Sequence, residues 1–241
     1  MRKLKRLILL VLVISMGVLF IGCEQNDVQL PPNTDALSAD EIGDISKLTS
    51  SLDPSLYTDA DYSNVEIGEG FDFSSISNIV KIEIASYGNV YIELRPDIAP
   101  ETVNNFKKLT LEGFYNGLTF HRVVKDFMIE GGEQDADGVI HDSKMIYGEF
   151  ADNNFTNNLS HKSGVIAMSR KNIPDSASNG FFILTKDSPQ LDGRYATFGY
   201  VVCGMDVIDK IQNAEVGAND SPTEAVIINK ISFMKKTEPE G

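Results

Sequence analysis

FHRVVKDFMIEGG, residues 120–132, is the stretch around which the chain is organised. It places a cation, Arg122, a few positions ahead of an apolar pair, Phe127 and Met128, and it ends in a double glycine, Gly131 and Gly132. That combination predicts a pocket for an uncharged ring beside a fixed hydrogen-bond donor. Two downstream segments belong with it, FFIL at 181–184 and LDGRYATFG at 191–199.

The surrounding pattern is that of a mainly β domain. From Ile79 apolar residues recur with period two: Val80, Ile82 and Ile84 alternate with Lys81 and Glu83, and after Ser-Tyr-Gly-Asn, Val90, Ile92 and Leu94 alternate with Tyr91 and Glu93. These runs predict a β-hairpin with one buried face. Pro100 opens a helical segment with Val103, Phe106 and Leu109 on one side, and Gly113 ends it. Further strands are expected at 120–124, 127–130, 164–169, 180–185, 196–202 and 225–233. A second helix at 205–213 presents Val207, Ile208 and Ile211 on one face. Many short strands, two helices and no βαβ rhythm predict an antiparallel barrel or sandwich, and the pattern does not choose between them.

The chain has 241 residues and a formal charge of −14, with 21 bases against 35 acids. Four of those bases, Arg2, Lys3, Lys5 and Arg6, lie in a leader; without it, 17 bases face the same 35 acids, a charge of −18. Such a surface repels phosphate backbones, which argues against nucleic acid as a partner. Of the two cysteines, Cys203 lies in an apolar run and reads as a small buried hydrophobe. No disulfide framework is expected.

The leader has export grammar: basic MRKLKR, then the 16 apolar or small residues LILLVLVISMGVLFIG, then Cys23. The run falls short of the roughly 20 residues that span a bilayer. Phe20-Ile21-Gly22-Cys23 resembles a bacterial lipoprotein cleavage box, with Phe20 in place of the usual leucine. The resemblance implies cleavage after Gly22, lipidation of Cys23, and a protein anchored to the outer face of a bacterial membrane. From Glu24 to Ser75, twelve acids face a single base, Lys47. This composition predicts an acidic, solvated tether over 23–75, with a short helix where Ser38 and Glu41 have capping-box spacing ahead of Ile42, Ile45 and Leu48. The folded domain is expected at 76–236, followed by a tail at 237–241.

NVYIELRPDIAPETVNNF at 89–106, GFYNGLTFHR at 113–122, the 120–132 stretch, SGVIAMSR at 163–170, FFIL and LDG occur in that order. Taken together over about residues 79–235, they resemble the cyclophilin family of peptidyl-prolyl isomerases. The resemblance implies a closed eight-stranded antiparallel β-barrel capped by two α-helices, with the active surface on its outside. It implies catalysis by Arg122, and a proline ring seated on Phe127, Met128, Phe182 and Leu191, with Tyr195 where many relatives have histidine. His121 matches the histidine beside the catalytic arginine, and Ser169 and Arg170 match positions that bind the substrate backbone. Without the surrounding motifs, Phe127, Met128 and Phe182 would read as core.

Three departures stand out. Glu130 replaces a glutamine and is expected to pair with Arg122, Gly180 replaces a substrate-contacting glutamine, and Gln190 replaces a tryptophan common in eukaryotic members. The expected partners are proline-containing peptides and unfolded exported proteins, bound by a monomer without metal or cofactor. A non-catalytic proline-peptide module is the alternative function.

Two metal readings are weighed against these. Glu133, Asp135, Asp137 and Gly138 imitate the start of a calcium loop, but position twelve is Lys144. His121, His141 and His161 lack close ligand spacing and acidic or thiol companions in the sequence, so no metal site is expected.

Overall fold

The computed structural model describes residues 51–237. Cys23, the leader and the helix expected around Ser38–Leu48 lie outside the described residues, as does the end of the tail from 238. The expected hairpin forms as one part of a larger set of strands. They are β1 (Tyr57–Asp59), β2 (Ile79–Ile84), β3 (Gly88–Leu94), β4 (Arg122–Val124), β5 (Met128–Gly131), β6 (Val165–Met168), β7 (Phe181–Leu184), β8 (Thr197–Cys203) and β9 (Ile228–Lys236). The two helices are α1 (Pro100–Leu111) and α2 (Met205–Gln212).

The period-two reading of the hairpin matches its register, in which Val80 faces Ile92 and Ile82 faces Val90, all four fully buried. All neighbours in the sheet are antiparallel, in the order β1-β9-β2-β3-β8-β6-β7-β5-β4. The sheet therefore has nine strands in a linear order, where the sequence led us to expect eight closed on themselves. Just ahead of β4 and β9, Thr119 and Ile227 form an isolated bridge, and Phe120 N–H donates to Val226 C=O at 2.9 Å. These are local contacts rather than a continued ladder.

The ninth strand comes from the segment expected to be a solvated tether. β1 pairs with the end of β9, Lys81 Nζ lies 2.7 Å from Asp59, and Tyr62 packs edge-on against Phe233 at 5.6 Å. Tyr62, Phe71 and Phe73 rest against the core. The buried Lys107 ammonium on α1 ties this strap down, donating to Phe73 C=O (3.0 Å), Ile76 C=O (2.8 Å) and Asn78 Oδ1 (2.7 Å). The acid-rich composition hid three aromatics whose burial repays ordering the backbone. Among the described residues, no helix is long and apolar enough to cross a membrane.

α1 begins at Pro100 and buries Val103, Phe106 and Leu109, while α2 buries Val207, Ile208 and Ile211. The first turn of α1 has no side-chain cap from its own N-cap residue, Ala99. Glu149, 47 residues beyond Thr102, supplies one, with its two carboxylate oxygens accepting from Glu101 and Thr102 N–H at 3.0 and 2.8 Å.

Strand alternation divides the apolar residues into two clusters. Val123, Ile129, Phe181, Ile183, Ile166 and Met168 point into the main core. Their sequence neighbours Met128, Phe182, Leu184, Val165 and Ala167 form a separate cluster on the opposite face of the sheet.

Candidate active site

The second cluster carries the candidate site. Residues directly opposite in neighbouring antiparallel strands share a face, and the register makes a row of Arg122, Glu130, Phe182 and Ala167 across β4, β5, β7 and β6. One pleat along lies the row Val124, Met128 and Leu184. A cation, a carboxylate and an aromatic ring thus stand side by side on the face away from the main core. The β4–β5 turn is tight: Asp126 takes φ +56, a left-handed conformation that Asp tolerates, and Phe127 N–H returns to Val124 C=O at 3.1 Å. This turn delivers Phe127, half-buried, to the edge of the same patch.

The expected pairing of Arg122 with Glu130 is present, with Nη1 3.3 Å from Oε2. The other Glu130 oxygen, Oε1, accepts from Ser169 Oγ at 2.7 Å. Arg122 has a second carboxylate partner that the sequence reading missed. Asp220 Oδ2 lies 3.4 Å from Nε and 3.5 Å from Nη2. Asp220 belongs to the turn Ala218–Asp220, where Asn219 and Asp220 both take φ +60. Nothing in the spacing could have announced it, since 98 residues separate it from Arg122.

The Arg122 side chain as a whole stays 42% exposed while two carboxylates orient its guanidinium.

Met128 and Phe182 form the floor of the patch, 3% and 6% exposed, with Leu191 and Tyr195 half-buried beside them. Tyr195 meets Phe182 edge-on at 5.6 Å and 87°. Behind the floor, the buried His161 ring lies nearly parallel to Phe182 at 6.3 Å. Asp192 Oδ1 accepts from both His161 N–H (2.7 Å) and Nδ1 (2.8 Å), which ties the Leu191–Tyr195 loop to the floor. Burial pushes the His161 pKa down, against the Asp192 carboxylate. This support was invisible in sequence, where His161 was considered only as a metal ligand.

Arg170 is placed differently from Ser169. Its guanidinium lies between the Phe150 and Tyr195 rings, 4.9 and 4.8 Å from their centroids, and it donates to Arg194 C=O at 2.9 Å. It is engaged in holding the loop.

His121 is mostly buried beside Arg122, and burial lowers its pKa, with Arg122 adding to the effect and Glu130 opposing it. It therefore enters the site as a neutral imidazole at pH 7. Gly180 is buried just ahead of β7, and its carbonyl accepts from Ser169 N–H at 2.9 Å.

The fold brings together ligand-type atoms of His121, Glu130 and Glu133 within 4.8 Å of one another. The histidines thus do have acidic companions, contrary to the expectation from sequence: Glu130 and Glu133 for His121, Asp135 for His141 and Asp192 for His161, each supplied by the fold and not by local spacing. A cation at the His121 group would have to share the Glu130 oxygens that already accept from Arg122 and Ser169. In the calcium-like loop, Asp135 Oδ1 accepts from Asp137 and Val139 N–H, and Oδ2 lies 2.8 Å from His141 Nε2, so its carboxylate closes the turn.

The family model for cyclophilin type peptidyl-prolyl cis-trans isomerase matches residues 79–233. The chain belongs to the cyclophilin family. Peptidyl-prolyl cis-trans isomerase B of Saccharomyces cerevisiae is 41% identical over 150 residues, 59% of this chain and 71% of its own length. Peptidyl-prolyl cis-trans isomerase ppi1 of Schizosaccharomyces pombe is 37% identical over 146 residues, 60% of this chain and 92% of that protein. Among solved structures, a Cryptosporidium parvum cyclophilin determined in the presence of the dipeptide Ala-Pro superposes with a TM-score of 0.56 at 25% identity, over 64% of this chain and 98% of that one. The matched span of this cyclophilin includes β2 to most of β9 and every site residue described above, while β1 and its strap precede it.

Proposed function

We propose that this cyclophilin isomerises X-Pro bonds of exported proteins at the outer face of a bacterial membrane, held there by lipid on Cys23. That it is a peptidyl-prolyl cis-trans isomerase follows from its family. The export and membrane reading rests on the leader, and the catalytic reading on one observation of the fold, Arg122, its side chain 42% exposed, in the same cross-strand row as Phe182 on the outward apolar patch.

Rotation about X-Pro is slow because the nitrogen shares its lone pair with the carbonyl, giving a barrier of roughly 18–20 kcal/mol. A donor aimed at the prolyl nitrogen localises that lone pair and weakens the partial double bond. Arg122 suits this role, being planar, permanently charged and already oriented by Glu130 and Asp220. The ring sits on Met128 and Phe182, bordered by Phe127, Leu191 and Tyr195, so that twisting moves the carbonyl rather than the ring. Ser169 acts through Glu130, which its hydroxyl holds, and Arg170 acts through Tyr195, against which it stacks. A thousandfold acceleration requires only about 4 kcal/mol of differential stabilisation, and no nucleophile is called for.

The basic MRKLKR run, the apolar stretch and Cys23 support export and lipid attachment. The protein is expected to act as a monomer. Exchange NMR of an X-Pro peptide with the full chain, its Arg122→Ala variant and its Glu130→Gln variant tests the catalytic assignment. Activity in the wild type and its loss in Arg122→Ala are expected; equal activity in both would sink it. Mass spectrometry of the membrane fraction tests the anchor, which predicts a diacylglyceryl mass on Cys23 that Cys23→Ala abolishes.

A further inference from the structure

The position of Gly180 is not left empty. A Cβ built there would fall 2.5 Å from Cδ and 2.7 Å from Cγ of Glu133, and closer still to Oε1. The carboxylate arm of Glu133, one residue beyond the Gly131–Gly132 pair, occupies the volume that a side chain at 180 would fill. The bare glycine and the placed carboxylate are one arrangement, since a side chain at 180 would push Glu133 out.

The charge of this arm is poorly answered. Both oxygens of its neighbour Glu130 are engaged, by Arg122 and by Ser169. Glu133 has within ion-pair reach, among the described residues, only His121 Nε2 at 3.9 Å, and burial keeps that imidazole neutral. Burial, Glu130 and Asp142 push the Glu133 carboxyl above its ordinary range, with Lys171 opposing. A carboxylate in this setting gains most from a cation brought by whatever enters the cleft. A metal ion would have to share Glu130 with Arg122 and Ser169, whereas a peptide ammonium or guanidinium needs Glu133 alone.

We infer that Glu133, seated over Gly180, is a specificity-determining residue that selects prolyl peptides carrying a lysine or arginine side chain close to the proline. The inference rests on the isomerase reading of the Arg122 site. It replaces a neutral amide contact at 180 by a charge-selective one.

The test compares kcat/KM of the full chain, by exchange NMR, on peptides with lysine scanned through the two positions on each side of proline, each matched to its norleucine isostere. At one position lysine is expected to be preferred by up to about fivefold at low salt, the range of a partly exposed ion pair, and the preference shrinks as salt rises. Glu133→Gln and Gly180→Ala are each expected to bring the ratio to near one, the second by displacing the carboxylate sterically. Glu112→Gln, at the far end of α1, keeps it. Equal rates for lysine and norleucine at every position, or a preference that survives both substitutions, overturns the inference. Dissociation constants for the same peptides, by calorimetry on Arg122→Ala, read the ratio without turnover. A lysine preference there upholds the inference even if Arg122 proves not to be the catalytic group, and its absence overturns it.

Discussion

Arg122 and Glu130 face each other across β4 and β5, with Nη1 3.3 Å from Oε2, and the same arginine is met from a distant turn by Asp220. The guanidinium is thus oriented by two carboxylates while 42% of its side chain stays exposed. An isomerase needs such a donor to be still and yet uncovered.

Removing that donor should cost most of the activity. Arg122→Ala is expected to lower kcat/KM by on the order of 100-fold, the usual loss for one preorganised donor. Peptide affinity should change far less, since the apolar floor remains. A combined fall in affinity and rate of equal size would assign Arg122 to binding instead.

The two carboxylates should back each other up. Glu130→Ala and Asp220→Ala are each expected to reduce kcat/KM modestly, and the double variant to lose more than their product, with a coupling on the order of 1 kcal/mol. Strict additivity in this double-mutant cycle would show that the two do not share the task of holding Arg122.

Lys107→Met tests the strap. The ammonium serves Phe73 C=O, Ile76 C=O and Asn78 Oδ1, and methionine leaves these acceptors without their donor. A loss of about 2 kcal/mol in urea unfolding is expected, with hydrogen exchange rising in residues 71–78. An unchanged unfolding midpoint would mean that the strap does not depend on this lysine.

His161 should make stability depend on pH. Its folded pKa is pushed below the ordinary histidine value of about 6.5 by burial. As pH falls below that value the unfolded chain takes up the proton first, so stability is present above the unfolded pKa and is lost as pH falls through the folded one. His121 shifts in the same direction, whereas the raised carboxyls of Glu93, Glu133 and Glu149 act in the opposite sense. The difference between wild type and His161→Gln isolates the histidine. Between pH 7.5 and 5 the wild type is expected to lose the more stability, and parallel profiles would refute the assignment.

The hairpin, both helices and the strands around 120–132 could be read from sequence because each rests on contacts between near neighbours. Period-two alternation specified which of Val80 to Leu94 turn inward, and Pro100 and Gly113 marked the limits of α1. The Arg122–Glu130 pair was legible for the same reason, since a three-residue turn between β4 and β5 leaves little choice of register. The order of motifs carried the family and the outward-facing patch with it.

What the sequence by itself determined is thus the local geometry: alternation, helix limits, the short turn, and the residue types of the site. Tertiary structure alone decided that Asp220 reaches Arg122, that Glu133 fills the space over Gly180, and that His161 backs Phe182. It also decided that Arg170 lies between two rings, and that an acid-rich segment supplies a ninth strand to the sheet. Such contacts join residues that the chain keeps far apart, and their free energy comes from packing and charge compensation once the sheet is assembled. No periodicity encodes them, because periodicity describes how a segment presents its own faces and not what the fold brings against them.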